Sequence, residues 1–195
     1  MMNATEKKMS AMILLFEDDR ATGAESLCVR KLPAADTGGK FEICGICDGI
    51  EPAVFAAIKA LLDAGRKVEA WDACLQYVWD NTKAVVGWIG SAEHPGIEFF
   101  LRDHYFNSGS RNTGRILQRA LCNDGFPVDV DGVVGAGSRK ALADRLARGG
   151  DLLFLDHLRK EREAFYRSCK QFPIFGKGWL NRSQKAFDFA RMLSA

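Results

Sequence analysis

The sequence predicts a mainly α fold with one small β-hairpin after the first helix. Apolar residues recur at helical spacing along most of the chain, and the one long departure is a glycine-bearing stretch from Arg20 to Asp48. Proline or glycine punctuates the ends of the apolar stripes, as helix boundaries require. The elements follow in order. Met9, Met12, Ile13 and Phe16 share one face, so a first amphipathic helix runs up to Glu17-Asp18-Asp19. Two β-prone runs, Leu27-Cys28-Val29 and Phe41-Glu42-Ile43-Cys44, then flank Asp36-Thr37-Gly38-Gly39 and read as an irregular hairpin. After Pro52, the stripe Val54, Ala57, Ile58, Leu61 and Leu62 stops at Gly65, and a second follows in Val68, Trp71, Leu75, Val78 and Trp79.

Trp88, between Gly87 and Ile89, reads as a loop residue. Ile97, Phe100, Leu101 and His104 mark the next helix, and Ile116, Leu117, Ala120 and Leu121 the one after it. Asn123 to Pro127 is a loop by composition. Asp131-Gly132, with Gly135 and Gly137, forms a turn before Ser138 caps a helix through about Leu146. Asp151 caps a longer helix carrying Leu152, Leu155, Leu158, Phe165 and Tyr166. The chain breaks around Gly176 to Trp179, and Ser183 to Leu193 closes it as a last helix. The total is seven or so helices, without internal repeats or low-complexity tracts.

The 195 residues are 47% hydrophobic and 27% charged, which suffices for a buried core. A formal charge of +2 calls for no nucleic-acid partner. The longest early apolar run, Ala11 to Phe16, falls short of both a spanning helix and a signal-peptide core, so the expectation is no stable membrane insertion and no export signal. Cys28, Cys44, Cys47, Cys74, Cys122 and Cys169 are too scattered for a disulfide scaffold and read as free thiols. Cys44-Gly45-Ile46-Cys47 has metal or redox spacing but lacks a second such pair, and His94, His104 and His157 form no ligand motif, so no metal or cofactor is expected. Asp129 and Asp131 beside Gly132 lack the spacing of a calcium loop and read as a turn.

A carboxylate at a helix end, followed by others on a glycine-rich hairpin, suits glycoside hydrolysis. That chemistry needs one protonated carboxyl for the leaving oxygen and usually a second, ionised one. Glu17 is the candidate acid, with the apolar helix before it and the charges of Asp18 and Asp19 expected to raise its pKa. Asp36 and Glu42 are the candidates for the second role. Asp103 and Asn107, four apart on a helix, face one side, where they reach a sugar or brace a loop. Trp88 is the tryptophan best placed to stack on a sugar, because Trp71 and Trp79 lie on core-forming stripes. Ser108 and Ser110 lack a nucleophile-elbow pattern.

These residues also carry a resemblance. Phe16-Glu17-Asp18-Asp19, then Asp36-Thr37-Gly38-Gly39 and Glu42-Ile43-Cys44-Gly45-Ile46, are similar to the helix ending in Glu-Gly-Gly and the Asp-Pro-Gly-Gly-x-Thr-x-x-Gly-Ile run of the glycoside hydrolase family 108 muramidases. Further matches are Asp103, Asn107 and Gly109; Leu117-Gln118-Arg119-Ala120-Leu121; Val130-Asp131-Gly132, Gly135 and Ser138; and Arg162, Tyr166, Gly178-Trp179 and Arg182. The likeness spans nearly the whole chain in order. It departs where Asp18-Asp19 replace two glycines and where Glu42 falls on a threonine position.

The resemblance implies a lysozyme-like helical domain: a catalytic part over 1–110, and a peptidoglycan-binding-like helical part over 111–195 packed against it. It places the catalytic glutamate at Glu17. It implies hydrolysis of the β-1,4 bond between N-acetylmuramic acid and N-acetylglucosamine, with peptidoglycan glycan strands as partner. The expected setting is the periplasm or cell wall, reached from the cytoplasm through a holin (phage endolysin) or a secretion machine (antibacterial effector). An immunity protein or secretion carrier is then a further partner. The competing expectation is a peptidoglycan-binding or adaptor protein that kept the fold and lost activity. An amidase or peptidase is disfavoured because no zinc site or Cys/His pair is evident. Whether Glu42 or Asp36 is the second group, and whether the reaction retains or inverts, depends on the carboxyl separation.

Overall fold

The computed structural model describes residues 2–33 and 38–194, and within them eight α-helices and one three-stranded antiparallel sheet. The fold is mainly α, and the sheet follows the first helix. The chain divides into two compact units, residues 1–81 and 82–195. Position 110, where the sequence suggests a boundary, lies inside the second unit.

In the first unit, α1 (Ala4–Glu17) starts at Asn3, whose Oδ1 accepts from the Glu6 N–H at 2.9 Å while Glu6 Oε2 accepts from the Asn3 N–H at 2.7 Å. This reciprocal cap satisfies two of the orphan donors at the helix start. Met9, Ile13 and Leu14 are its buried face. A short 3-10 turn (Ala24–Ser26) leads to β1 (Arg30–Lys31), β2 (Phe41–Ile43) and β3 (Ile46–Cys47), in the order β1-β2-β3. Arg30 pairs with Glu42, and Ile43 with Ile46. The sheet thus begins at Arg30, three residues beyond the expected Leu27. Leu27 is buried as the residue closing the 3-10 turn, so its apolar character marks the core and not the ladder. Ile43 and Ile46 are buried, and β2 and β3 pack on α2 (Pro52–Asp63), which has proline in its first turn and buries Phe55 and Ile58.

α3 (Lys67–Thr82) buries Ala70, Cys74, Leu75 and Val78. The expected stripe holds at Leu75 and Val78, but Val68 is 66% exposed and Ala70 and Cys74 are buried in its place. Cys44 and Cys74 are buried, Cys28 is exposed, and none of the six cysteines is bridged. Burial pushes the Cys44 thiol up to about 11 and the Cys74 thiol up to about 12.

In the second unit, α4 (Ala84–Ile89) contains Trp88, so the expected loop there is a one-and-a-half-turn helix ended by Gly90 in the left-handed region, φ 71°. α5 (Pro95–Asn123) joins the two helices expected separately through a kink at Gly109, φ 79° and ψ 167°. α6 (Ala136–Ala147), α7 (Asp151–Ser168) and α8 (Phe172–Leu193) complete the unit, and α5, α7 and α8 pack mutually. Phe99, Phe100, Leu117, Leu121, Phe154, Leu155, Leu158 and Ala190 form the core of this bundle.

Three helix boundaries differ from the sequence reading. Gly135, not Ser138, occupies the cap of α6; Ser138 lies in its first turn and turns inward. Gly150 is the cap of α7, and Asp151, its first residue, pairs with His94 Nδ1 at 2.8 Å. α8 runs through the expected break because Gly176 lies against the Phe172 ring, where a Cβ would come within 2.6 Å of ring carbons. Packing there outweighs the cost of about 1 kcal/mol that glycine carries inside a helix.

Gly114 shows the same logic between segments: a Cβ there would sit 2.4 Å from the Gly132 carbonyl oxygen, a backbone atom that cannot step aside. Gly114→Ala is expected to destabilise by about 1–3 kcal/mol in urea unfolding. Gly178→Ala, on α8 with nothing within 4 Å of the new Cβ, is expected to be neutral or to stabilise by up to about 1 kcal/mol.

Candidate functional site

Glu17 is the last residue of α1 and its side chain is exposed. The chain leaves the helix at Asp18, which takes extended dihedrals, φ −137° and ψ 107°. Glu17 is therefore not the group that the apolar helix desolvates. The carboxylate taken out of water is Asp18, 7% exposed. Its Oδ1 accepts from Arg20 Nε at 2.8 Å and from the Arg20 backbone N–H at 3.2 Å, and its Oδ2 is ion-paired with Arg30. Two guanidiniums compensate Asp18, so its charge is spent locally and does not stand unopposed beside Glu17. Asp19 is exposed.

The sheet comes to Glu17 through two links. One is the Asp18–Arg30 pair, which ties the end of α1 to β1 directly opposite Glu42 in the β1–β2 register. The other is the two-residue turn Cys44-Gly45 between β2 and β3. Both turn residues have positive φ, 50° and 79°, as a type I′ hairpin turn requires. A Cβ on Gly45 would lie 3.5 Å from Glu17 Cβ, so the turn rests against the stem of the glutamate. Cys44 holds the left-handed conformation without being glycine, a strain of about 1 kcal/mol or more that its burial in the core sustains.

Glu42 is half-buried on β2 and alternates with buried Ile43. Asp36 lies outside the described residues. At the far end of the hairpin, Asp48 Oδ1 accepts from the Lys40 and Phe41 N–H groups at 2.7 and 3.0 Å, which holds its carboxyl below the usual range. Gly39, φ 128°, leaves a Cβ no space, since it would meet Asp48 Oδ1 at 2.1 Å and the Gly49 nitrogen at 2.5 Å. Gly39 is thus explained by close packing on Asp48 and Gly49, and Gly49 by its approach to the Gly38 carbonyl, where a Cβ would come within 2.7 Å of the oxygen. Sequence reasoning passed over Asp48 and treated Asp18 only as a nearby charge.

Asp103, Asn107 and Trp88 belong to the second unit. Asp103 is fully buried and spent: Arg162 Nη2 donates to its Oδ2 at 2.6 Å and Arg182 Nη2 to its Oδ1 at 2.8 Å. The expectation that it touches a sugar gives way to a bridge from α5 to α7 and α8. The two arginines hold its carboxyl below the usual range against the opposing effect of burial. Tyr166 extends the cluster, its hydroxyl accepting from Arg162 Nε at 2.8 Å and donating to Asn107 Oδ1 at 3.4 Å, and Trp179 packs on the Tyr166 ring at 5.5 Å. Asn107 is exposed. Trp88 is half-buried, with its ring 5.7 Å from that of Tyr105.

Beside this bridge, His104 is fully buried, its Nδ1 2.9 Å from the Thr113 hydroxyl. That hydroxyl donates to the Gly109 carbonyl at 2.9 Å, so the ring is the donor at Nδ1. Burial first, and Arg162 next, hold the imidazolium well below its ordinary 6.5.

A second cluster gathers the turn after α5. Gln118, 1% exposed, accepts the Gly132 N–H at Oε1 (2.8 Å). Its Nε2 donates to Asp131 Oδ1 (2.8 Å), the Val133 carbonyl and the Ser138 hydroxyl (both 3.2 Å). One side chain thus fixes Asp131, Gly132 and the first turn of α6.

Residues 112–184, which contain this cluster, match the family model described as "Predicted Peptidoglycan domain". No curated protein matches the chain. The solved structure of Brucella abortus SagA is similar at 23% identity, over 97% of this chain and 95% of that one, with a TM-score of 0.62. They share a fold. Its mainly α character, with a small sheet after the first helix, is the one expected from the sequence.

Two outcomes test the buried cluster. Asp103→Asn leaves two guanidiniums without a counter-charge and is expected to cost about 3–5 kcal/mol in denaturant unfolding. His104 binds its proton less readily folded than unfolded, so its contribution is complete above about 6.5 and declines as pH falls, by about 1.4 kcal/mol per pH unit until the folded ring titrates. Asp103 adds to this only in stronger acid, being lost as pH falls below its ordinary 3.8. Stability curves of His104→Gln are expected to lack the decline that begins near pH 6.5.

Proposed function

We propose that the protein is a peptidoglycan hydrolase of the muramidase type, resembling glycoside hydrolase family 108, with Glu17 as general acid. The observation that carries this reading is the conjunction, in one chain, of an exposed helix-end glutamate braced by a rigid hairpin turn and a peptidoglycan-domain match over residues 112–184. The match suggests the polymer, and the carboxylates suggest the chemistry. Protonated Glu17 donates to the glycosidic oxygen as the bond to the muramic C1 breaks, and positive charge develops on that sugar. A second carboxylate, Glu42 or Asp36, either takes a proton from the water that attacks C1 or itself bonds to C1 before water displaces it.

The turn's contact with the stem of Glu17, a residue exposed at the helix end, positions the acid where a substrate reaches it. The bridge through Asp103 positions Asn107 by way of Tyr166, and Asn107 and Trp88 are proposed as sugar contacts. On this reading the protein works in the periplasm or cell wall, as an endolysin or a secreted antibacterial effector, and an immunity protein or carrier is a proposed partner.

A second reading, a wall-binding module without turnover, is favoured by one observation. Asp18 stands where the resembling family has a glycine, and it is locked into two ion pairs beside Glu17.

Mass spectrometry of fragments released from purified sacculi separates the two. Wild type is expected to release disaccharide muropeptides with reducing muramic ends, and Glu17→Gln to do so about 100- to 10,000-fold more slowly. Equal sedimentation with sacculi and no release by either protein selects the binding module. With an active wild type, proton NMR of the first-formed anomer assigns the second carboxylate's role: retention for a nucleophile, inversion for a base.

A further inference from the structure

Two large apolar side chains, adjacent in sequence, stand in water at the corner where α7 gives way to α8. Ile174 is 76% exposed and Phe175 53%. Trp179 follows one turn after Phe175 and is half-buried, its ring 5.9 Å from the Phe175 ring and inclined to it by 32°. Phe175 and Trp179 thus present one aromatic surface, with Ile174 beside it at the start of the helix.

The charges around this corner have one sign. From Ala164 to Phe187 the sequence holds no aspartate or glutamate, while Arg167, Lys170, Lys177, Arg182 and Lys185 fall within it. Arg182 is spent on Asp103. Arg167, Lys170 and Lys177 are exposed, and none has a carboxylate partner among the described residues. Lys177 lies one turn after Ile174 and so on the same face of α8. The Arg167 guanidinium sits 5.4 Å from the centre of the Phe172 ring, which holds a cation at the base of the corner. The other end of α7 provides the contrast. Leu153 is 57% exposed there, but it stands between Asp151 and Asp156. Apolar exposure joined to unopposed positive charge therefore sets the α7–α8 corner apart from it.

We infer that this corner is a peripheral docking surface for a bilayer rich in anionic phospholipid. Ile174 and Phe175 enter the acyl boundary, Trp179 lies at headgroup level, and Arg167, Lys170 and Lys177 face the lipid phosphates. A bilayer accepts projecting apolar side chains without a fitted pocket, which favours it over a folded partner. A glycan strand fits less well: isoleucine has no flat face for a sugar ring, and the arginine and lysines offer donors but no acceptor for sugar hydroxyls. The contact is interfacial, and no helix among the described residues is long and apolar enough to cross a membrane. Such docking does not depend on the hydrolase reading above.

The test is co-sedimentation of the full chain with vesicles of phosphatidylglycerol and phosphatidylcholine in equal parts, beside vesicles of phosphatidylcholine alone. Wild type is expected to bind the anionic vesicles about tenfold more tightly or better, and less so as salt rises. Ile174→Ser is expected to weaken that binding about tenfold, and Lys170→Gln and Lys177→Gln about fivefold each. All three side chains are exposed, so these substitutions leave the fold intact. Leu153→Ser removes an equally exposed apolar side chain from the acidic end of α7 and is expected to leave binding unchanged. No sedimentation with the anionic vesicles, equal binding to both kinds, indifference to Ile174→Ser, or the same loss in Leu153→Ser each overturns the proposal. Lipid-free sacculi supply the last arm. If Ile174→Ser loses binding to sacculi and keeps binding to vesicles, the corner serves the wall polymer, and the lipid surface is overturned.

Discussion

A single buried carboxylate organises the second unit. Asp103 has no exposed surface, and an uncompensated charge there would be intolerable. Arg162 from α7 and Arg182 from α8 must therefore arrive together, which fixes the separation and rotation of three helices at one point. The core then fills in around that point. Phe100 lies 5.2 Å beneath the Arg162 guanidinium, Tyr166 hydrogen-bonds its Nε, and Trp179 packs on Tyr166. Such a triad adds little net stability over a well-packed apolar equivalent, but it makes other packings of the same helices expensive.

The end of α1 obeys a similar rule on a smaller scale. Asp18 is drawn inward by Arg20 and Arg30, and the last helical residue, Glu17, is left facing out. The departure from two glycines at this point thus has a physical reading. Where a glycine would let the chain turn freely, Asp18 turns it by ion pairing, and the turn Cys44-Gly45 closes against the glutamate stem. The chemistry proposed for Glu17 depends on this division between a carboxylate that holds and one that is presented.

The helices were legible because periodicity reports burial, and α1, α2 and both halves of α5 lie where their stripes place them. The failures share a cause. Trp88, Gly176 and the start of α6 were read from residue type, whereas packing decided them: Gly176 answers to the Phe172 ring, and Ser138 to Gln118. For the candidate site, the sequence could single out Glu17 but could not show that Asp18 is buried, because that needs Arg30, twelve positions away, to cross a strand. It likewise had no signal that Asp103 meets Arg162 and Arg182, beyond the order in which these residues occur. Gln118 was visible only as one letter of a motif, and its hub role emerges from four contacts made across twenty residues.

The strained turn beside Glu17 also governs how the protein's thiols react. With its thiol at about 11, Cys44 is ionised in only about one molecule in ten thousand at neutral pH, and Cys74 less often still. The thiolate is the species that attacks disulfides and electrophiles, so these two positions are nearly inert while the core is closed. An oxidising environment therefore spares Cys44 and Cys74 while the core is closed, and modification falls on the exposed Cys28 and the half-buried Cys47, Cys122 and Cys169 first. Labelling at Cys44 becomes, in effect, a clock for opening of the first unit.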